Sequence, residues 1–256
     1  MATALITGAT SGIGREIAWQ LAAERMNLIL VARSADRLEE VAEHIRQVAD
    51  VEVEVLPADL SQAEGTLRVC ERLIDDERPV GLLVNNAGFG LGQDFVGGDI
   101  ERELNALNVM VRAVLMTCHA AIPGMVARGG GGILNIASMA ALTAQGTYSA
   151  HKAWVRTFTE GLAASLKGTG VNATVVCPGL VHTEFHEKVD VDPGQWPESA
   201  FIPAERVAAE AIEGVRRGKV VVTPSRRYRA LAGALKVAPR SLVRAVAGPE
   251  RSGRRG

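Results

Sequence analysis

The sequence predicts an α/β domain, a parallel β-sheet with helices on both faces. Three observations predict it. Short β-rich runs alternate with longer helical patterns along the chain, the order that right-handed βαβ units require. A glycine-rich turn, Thr7-Gly8-Ala9-Thr10-Ser11-Gly12-Ile13-Gly14, follows the first run directly. The length of 256 residues, 47% of them hydrophobic, suits one large core that needs no disulfide or metal.

The elements follow in order. Ala2–Thr7 reads as a strand and Ile13–Arg25 as a helix. Leu28–Ala32 and Ala35–Ala49 repeat the pair. Glu52–Leu56 alternates like a strand, and Ser61 is placed to cap a helix reaching Asp76. Leu82–Val84 is a short buried strand. A helical region with a kink is expected from Asp99 to Arg128. Then come strand Gly132–Ala137, helix Tyr148–Lys167, strand Val171–Val176, helix Ala204–Arg217 and a last strand, Lys219–Thr223. Residues 184–202 carry two prolines and little periodicity, and at this length suggest a lid. There is no repeat and no low-complexity segment. No apolar run approaches the roughly 20 residues that span a bilayer. The N-terminus shows no signal-peptide pattern, and the three scattered cysteines suggest a reducing compartment, so a cytoplasmic location is expected.

The glycine turn has the makings of a phosphate site. Gly8 permits a sharp exit from the strand. Gly12 lets the backbone approach a pyrophosphate, and Gly14 lets the helix pack closely on the sheet. The helix N-terminus then offers free N–H groups and a positive dipole end. At the end of the second strand stand Ala32 and Arg33, where an NAD-selective site places a carboxylate. Arg33 can instead fork onto a 2′-phosphate, with Ser34 and Arg37 beside it. These residues favour NADP over NAD.

Candidate chemistry lies in Ser138, Tyr148 and Lys152, although taken alone the Tyr-x-x-x-Lys pair also reads as a helix start with a snorkelling lysine. Tyr148 and Lys152 are four apart and share a helix face. A tyrosine with a pKa near 10 is about one part in a thousand ionised at pH 7. A lysine cation nearby favours the phenolate, and a shift to neutrality takes about 4 kcal/mol. The product is a proton donor and acceptor matched to neutral pH.

With the glycine turn, Asn85-Asn86-Ala87-Gly88, Asn108, Ser138, Tyr148/Lys152 and Pro178-Gly179 in this order, the chain resembles the short-chain dehydrogenase/reductase family over residues 2–225. The resemblance implies a Rossmann-type doubly wound fold, a single domain with seven parallel strands ordered 3-2-1-4-5-6-7. Residues 226–256 would form a basic helical extension.

The resemblance also implies roles. Gly8, Thr10, Ser11, Gly12, Ile13 and Gly14 would hold the phosphates. Asp59 and Leu60 would border the adenine. Asn86, Ala87 and Gly88 would line the floor under the ribose and steady the sheet. Tyr148 would be the acid/base, Ser138 would donate to the substrate oxygen, and Lys152 would hold the nicotinamide ribose and lower the Tyr148 pKa. Asn108 would hold a water linking Lys152 to solvent, and can also bend its helix. Pro178, Gly179, Val181 and Thr183 would fix the carboxamide. The activity implied is hydride transfer between NADP(H) and a ketone or secondary alcohol. Oxidation of an alcohol or hydroxysteroid is the alternative direction, and an idle dinucleotide-binding scaffold the alternative class.

One departure stands out. Ser138 precedes Tyr148 by 10 residues, a shorter loop than the family usually shows, with Thr147 and Ser149 as nearby substitutes. Trp154, Phe158, Leu162 and Leu166 recur at helical spacing and read as packing, in part against a second subunit of a dimer or tetramer. His182 and His186, beside Glu184 and Glu187, read as lid residues, not a metal site. Residues 226–256 hold nine Lys/Arg against one acid. They read as a capping extension or oligomer contact, or as a basic surface for a membrane or an acidic acyl carrier; nucleic acid is not expected. Val220–Tyr228 resembles ketoacyl and ketosteroid reductase members, which suggests a lipophilic carbonyl substrate.

Overall fold

The computed structural model describes residues 2–182 and 197–248. Seven parallel strands form one sheet in the order β3-β2-β1-β4-β5-β6-β7: β1 Thr3–Thr7, β2 Asn27–Ala32, β3 Val53–Pro57, β4 Leu82–Asn85, β5 Gly131–Ile136, β6 Val171–Val176 and β7 Val221–Val222. The helices are α1 Gly12–Ala23, α2 Ala35–Val48, α3 Ala63–Leu73, α4 Ile100–Leu107, α5 Ala113–Ala127, α6 Thr147–Ser165, α7 Ala204–Arg216, α8 Arg226–Val237 and α9 Arg240–Val246. This is the doubly wound fold expected from the sequence, with a helical C-terminal extension.

Alternation along each strand builds two cores. Ala4, Ile6, Leu28 and Leu30 face one layer with Ile17, Leu21, Ile45, Val207 and Ile212. Leu5, Ile29 and Val31 face the other, with Val69, Met110, Cys118 and Val155. Successive strand side chains point to opposite faces, so α1, α2 and α7 cover one side and α3, α5 and α6 the other. A buried polar network joins the second layer to the sheet. Asn85 Nδ2 donates to Asn135 Oδ1 (3.0 Å), Thr117 donates to Asn85 Oδ1 (2.9 Å), and Asn135 Nδ2 donates to Thr159 Oγ1 (2.9 Å). It fixes α6 against β4 and β5. All three cysteines are free.

Several local expectations are corrected. Ser61 does not cap α3; its N–H and hydroxyl both bond Asp59 Oδ1 (3.0 and 2.8 Å), and Gln62 stands at the helix cap. The kink between α4 and α5 is a π-turn, Asn108–Arg112, in which Ala113 N–H reaches Asn108 O. β7 keeps only two residues, for few groups on the edge find a partner in β6. The tail is two helices, because Pro239 cannot continue α8 and sets Ala238 extended (ψ 138). The helical stretch Ile100–Ala127, though its apolar run is broken by Arg112, contains an 18-residue window with a mean hydropathy of 1.6, long and apolar enough to cross a membrane. Of that window 44% is buried, and Met110, Ala113, Cys118, Ala121 and Met125 belong to the second core layer.

Candidate active site

The carboxyl ends of the strands open onto a cleft of about 720 Å³. Its nucleotide end is shaped by glycine. Gly8 and Gly12 have φ +68 and +53, left-handed values that favour glycine. Asn86 locks the turn by donating through Nδ2 to Thr7 O (3.0 Å) and Gly8 O (3.1 Å). Thr7 Oγ1 in turn accepts from Asn86 N–H and Ala87 N–H. A side chain on Gly14 would overlap Asn86 Nδ2 and the Gly8 carbonyl. Gly14 thus lets α1 come close to the turn after β1 and to Asn86 after β4, the close helix–sheet approach expected of it. Ser11 makes no side-chain cap bond at the start of α1, which leaves the helix N–H groups to a ligand. Thr10, Ser11, Gly12, Ile13, Arg33, Ser34, Asp59 and Leu60 line this end of the cleft. Ser34 Oγ accepts from Arg37 N–H and caps α2. The fit to a dinucleotide is good: a cradle with open N–H groups, a length of groove, and a cation where the second strand ends.

The other end holds the chemical groups. Ser138 lies two residues past the end of β5, and its hydroxyl hydrogen-bonds the Tyr148 phenol; it also accepts from Ala140 N–H (3.1 Å). The two alternatives lie elsewhere. Ser149 is buried and shares its hydroxyl with Thr143 Oγ1 (3.0 Å) and Gln145 N–H (3.1 Å). Thr147 donates to the buried Glu103 (2.6 Å). The short loop folds as one 3₁₀ turn, Met139–Leu142, and so still returns the chain to Tyr148. Lys152 is buried, donates to Ile136 O (2.8 Å), and lies 5.8 Å from the centre of the Tyr148 ring. Gly88 gives it room, since a Cβ there would stand 3.3 Å from Nζ.

Burial sets the charges. It pushes the Tyr148 phenol up to about 12, with the Ser138 bond acting the other way. It pushes Lys152 down to about 8, with Cys177 drawing it back up. The net effect on Tyr148 in the protein alone is therefore upward, against the lowering expected from Lys152. Desolvation of the anion exceeds any attraction to a cation that is itself buried.

Asn108 does not line the cleft; its amide donates to Ser61 O (3.0 Å) and its carbonyl closes the π-turn. Ala87, Gly88, Pro178, Gly179 and Val181 line the cleft as well. Thr183, Glu184, His186 and Glu187, with most of the expected lid, lie outside the described residues. His182 stacks on Phe201 (4.4 Å) and pairs with Glu198 (2.8 Å). Sequence reasoning missed Phe89, Leu91 and Leu180, which add apolar walls. Phe89 and Leu91 follow the Asn-Asn-Ala-Gly motif so closely that position alone could have flagged them.

The chain matches the family model for short chain dehydrogenase over residues 2–193. It is 37% identical over 186 residues to sulfoacetaldehyde reductase 2 of Chromohalobacter salexigens, covering 71% of this chain and 73% of that one. A short-chain dehydrogenase from Sphingobium yanoikuyae, solved with NADPH, is 32% identical with a TM-score of 0.83, covering 92% of this chain and 94% of that one. The bulky-bulky ketone specific alcohol dehydrogenase of Comamonas testosteroni is 28% identical with a TM-score of 0.80, covering 92% of each chain. The glycine cradle, the Tyr148–Lys152 face and the matched 192 residues agree, and the chain belongs to the short-chain dehydrogenase family of oxidoreductases acting between CH–OH and C=O.

Proposed function

We propose that the protein is an NADPH-dependent reductase of apolar ketones. The observation that carries this is the convergence of Tyr148, Ser138 and Lys152 at one end of a cleft whose other end is a glycine cradle flanked by Arg33. A bound nicotinamide dinucleotide supplies the hydride. Tyr148 passes the proton: its phenol, kept protonated by burial, is ready to donate to a carbonyl oxygen. Ser138, already bonded to that phenol, orients the same oxygen. Lys152, which donates to Ile136 O in the free protein, would hold the nicotinamide ribose hydroxyls and place a positive charge near the Tyr148 phenolate. Arg33 reads the 2′-phosphate, with Ser34 and Arg37 at its side. Gly179 and Val181, which line the cleft, would hold the carboxamide of a bound nicotinamide. Asn108 serves the site by bending its helix through the π-turn. Ala137, Phe89, Leu91 and Leu180 give the carbonyl substrate an apolar setting, in keeping with the bulky ketones named for the Comamonas enzyme. A second copy of the chain covers the groove of Trp154, Phe158 and Leu162 on α6.

The test is a carbonyl panel assayed with NADPH and NADH. Wild type should reduce bulky ketones with NADPH. Tyr148→Phe should lower kcat/KM by about 10²–10⁴-fold. Arg33→Ala should weaken NADPH far more than NADH in a binding titration. Tight NADPH binding without turnover on any ketone, unchanged by Tyr148→Phe, would mean a scaffold instead.

A further inference from the structure

The described part of the C-terminal extension does not line the cleft, yet it grips both loops that bear the chemistry. Tyr228, in the first turn of α8, stands over Gly179: a Cβ on that glycine would fall within the tyrosine ring. The hydroxyl makes two bonds. It donates to Ala200 O (2.8 Å) and accepts from Leu180 N–H (3.1 Å). A single phenol thus joins the loop after β6 to the segment before α7. The loop is tied at two more points. Pro178 O accepts from Met139 N–H (2.8 Å), next to Ser138, and Leu180 O accepts from Ile202 N–H (2.9 Å). Further along the extension, Arg240 donates to Leu142 O (3.1 Å), and Ala144 N–H donates to Ala247 O (3.2 Å). Both of these contacts fall on the shortened loop between Ser138 and Tyr148.

The backbone is bent to deliver this contact. Ser225, buried at the start of α8, has φ +75, a conformation that side-chain-bearing residues adopt at a cost. It turns the chain so that Tyr228, three residues on, lands on Gly179. Such a residue persists when its surroundings hold it there.

We propose that Tyr228 is a positioning residue for hydride transfer, one that sets the height of the Pro178–Val181 loop at the reactive end of the cleft. The inference rests on the reductase reading for its kinetic consequence, but its geometric content is independent of it. Loss of the hydroxyl frees Leu180 N–H and the Ala200 carbonyl together. The reactive end then loosens, while the glycine cradle and Arg33, on the far side of the sheet order, are untouched.

The experiment compares Tyr228→Phe, which keeps the ring over Gly179, with wild type. Three quantities are read: kcat and KM on a ketone that wild type reduces, affinity for NADPH and for 2′-phospho-ADP-ribose, and deuterium uptake at Leu180. Tyr228→Phe should lower kcat about tenfold, a modest misplacement. It should leave 2′-phospho-ADP-ribose binding unchanged and speed exchange at Leu180. Tyr228→Leu should be worse in kcat; if it fails to fold, Tyr228→Phe alone decides. An unchanged kcat, or an unchanged Leu180 exchange, would overturn the proposal. If wild type reduces no carbonyl, the reductase reading fails. The Leu180 exchange and the ratio of NADPH to 2′-phospho-ADP-ribose affinity then decide Tyr228 by themselves.

Discussion

Tyr148 and Lys152 share one face of α6, and burial moves both towards their neutral forms. A phenol at about 12 and an ammonium at about 8 mean that the free protein keeps the Tyr148 proton and holds the Lys152 charge at a cost. That cost has a pH signature. Lys152 is depressed from 10.5 to about 8, so between those values the unfolded chain binds more protons and stability rises with pH. Tyr148 and Cys177, raised to about 12 and 11, act in the opposite sense above pH 9 to 10. Comparison with Lys152→Met isolates the lysine. The unfolding free energy of wild type minus that of Lys152→Met should rise by about 2 kcal/mol from pH 7.5 to 10. Denaturant titrations at the two pH values check it, and a flat difference would refute the assignment. Lys152→Met should also lose nearly all activity, a case of stability and function pulling apart at one residue.

Among the elements, the β1–α1 turn is the most constrained. Gly14 faces both a side chain, Asn86 Nδ2, and a backbone atom, Gly8 O. A flexible side chain can move aside; a carbonyl in a locked turn cannot. Gly14→Ala should therefore destabilise the fold by about 1–3 kcal/mol and weaken dinucleotide binding. Asn86→Ala in the same chain should not rescue it. Thermal melts and a binding titration decide, and full rescue would place the conflict on Asn86 alone. The other departures from regularity also have local causes. The π-turn puts Asn108 where its amide meets Ser61 O, and Pro239 divides α8 from α9 so that Arg240 can reach Leu142 O. These breaks aim side chains that a straight helix would carry past their targets.

At the scale of the molecule, two features reach beyond single elements. The first is the apolar outer face. Trp154 and Phe158 stack at 4.7 Å beside Leu162, all three half-buried, and Leu104, Leu107 and Leu115 on α4 and α5 are exposed. Phe158→Glu should convert the proposed dimer to a monomer, read by sedimentation. A monomeric wild type would sink the second-copy reading. The second feature is the network of Asn85, Thr117, Asn135 and Thr159. Its members come from β4, α5, β5 and α6, and it sets the helix bearing Tyr148 at a fixed height on the sheet.

Much of this was legible in the chain. Parallel buried strands must be apolar, helices must be amphipathic, and a phosphate turn must be glycine-rich. These demands are local, so β1 to β6, the cradle around Gly8 and Gly12, Arg33 and the Tyr148–Lys152 face could all be read from spacing. What could not be read depends on partners distant in sequence. Ser138 rather than Ser149 meets Tyr148 because Thr143 and Gln145 claim Ser149. Gly14 meets Asn86, 72 positions downstream, as well as the nearby Gly8 carbonyl, and Gly179 is covered by Tyr228 from 49 positions downstream. The proton affinities of Tyr148 and Lys152 followed burial, a property of the assembled fold, rather than their nearness in sequence. The sequence by itself determined the glycine cradle, the polar groups Ser138, Tyr148 and Lys152 of the cleft, and the order in which the sheet presents them. The tertiary structure alone decided which hydroxyl touches which and how much water each charge keeps, because hydrogen bonds and desolvation are set by distances that close only when the chain has folded.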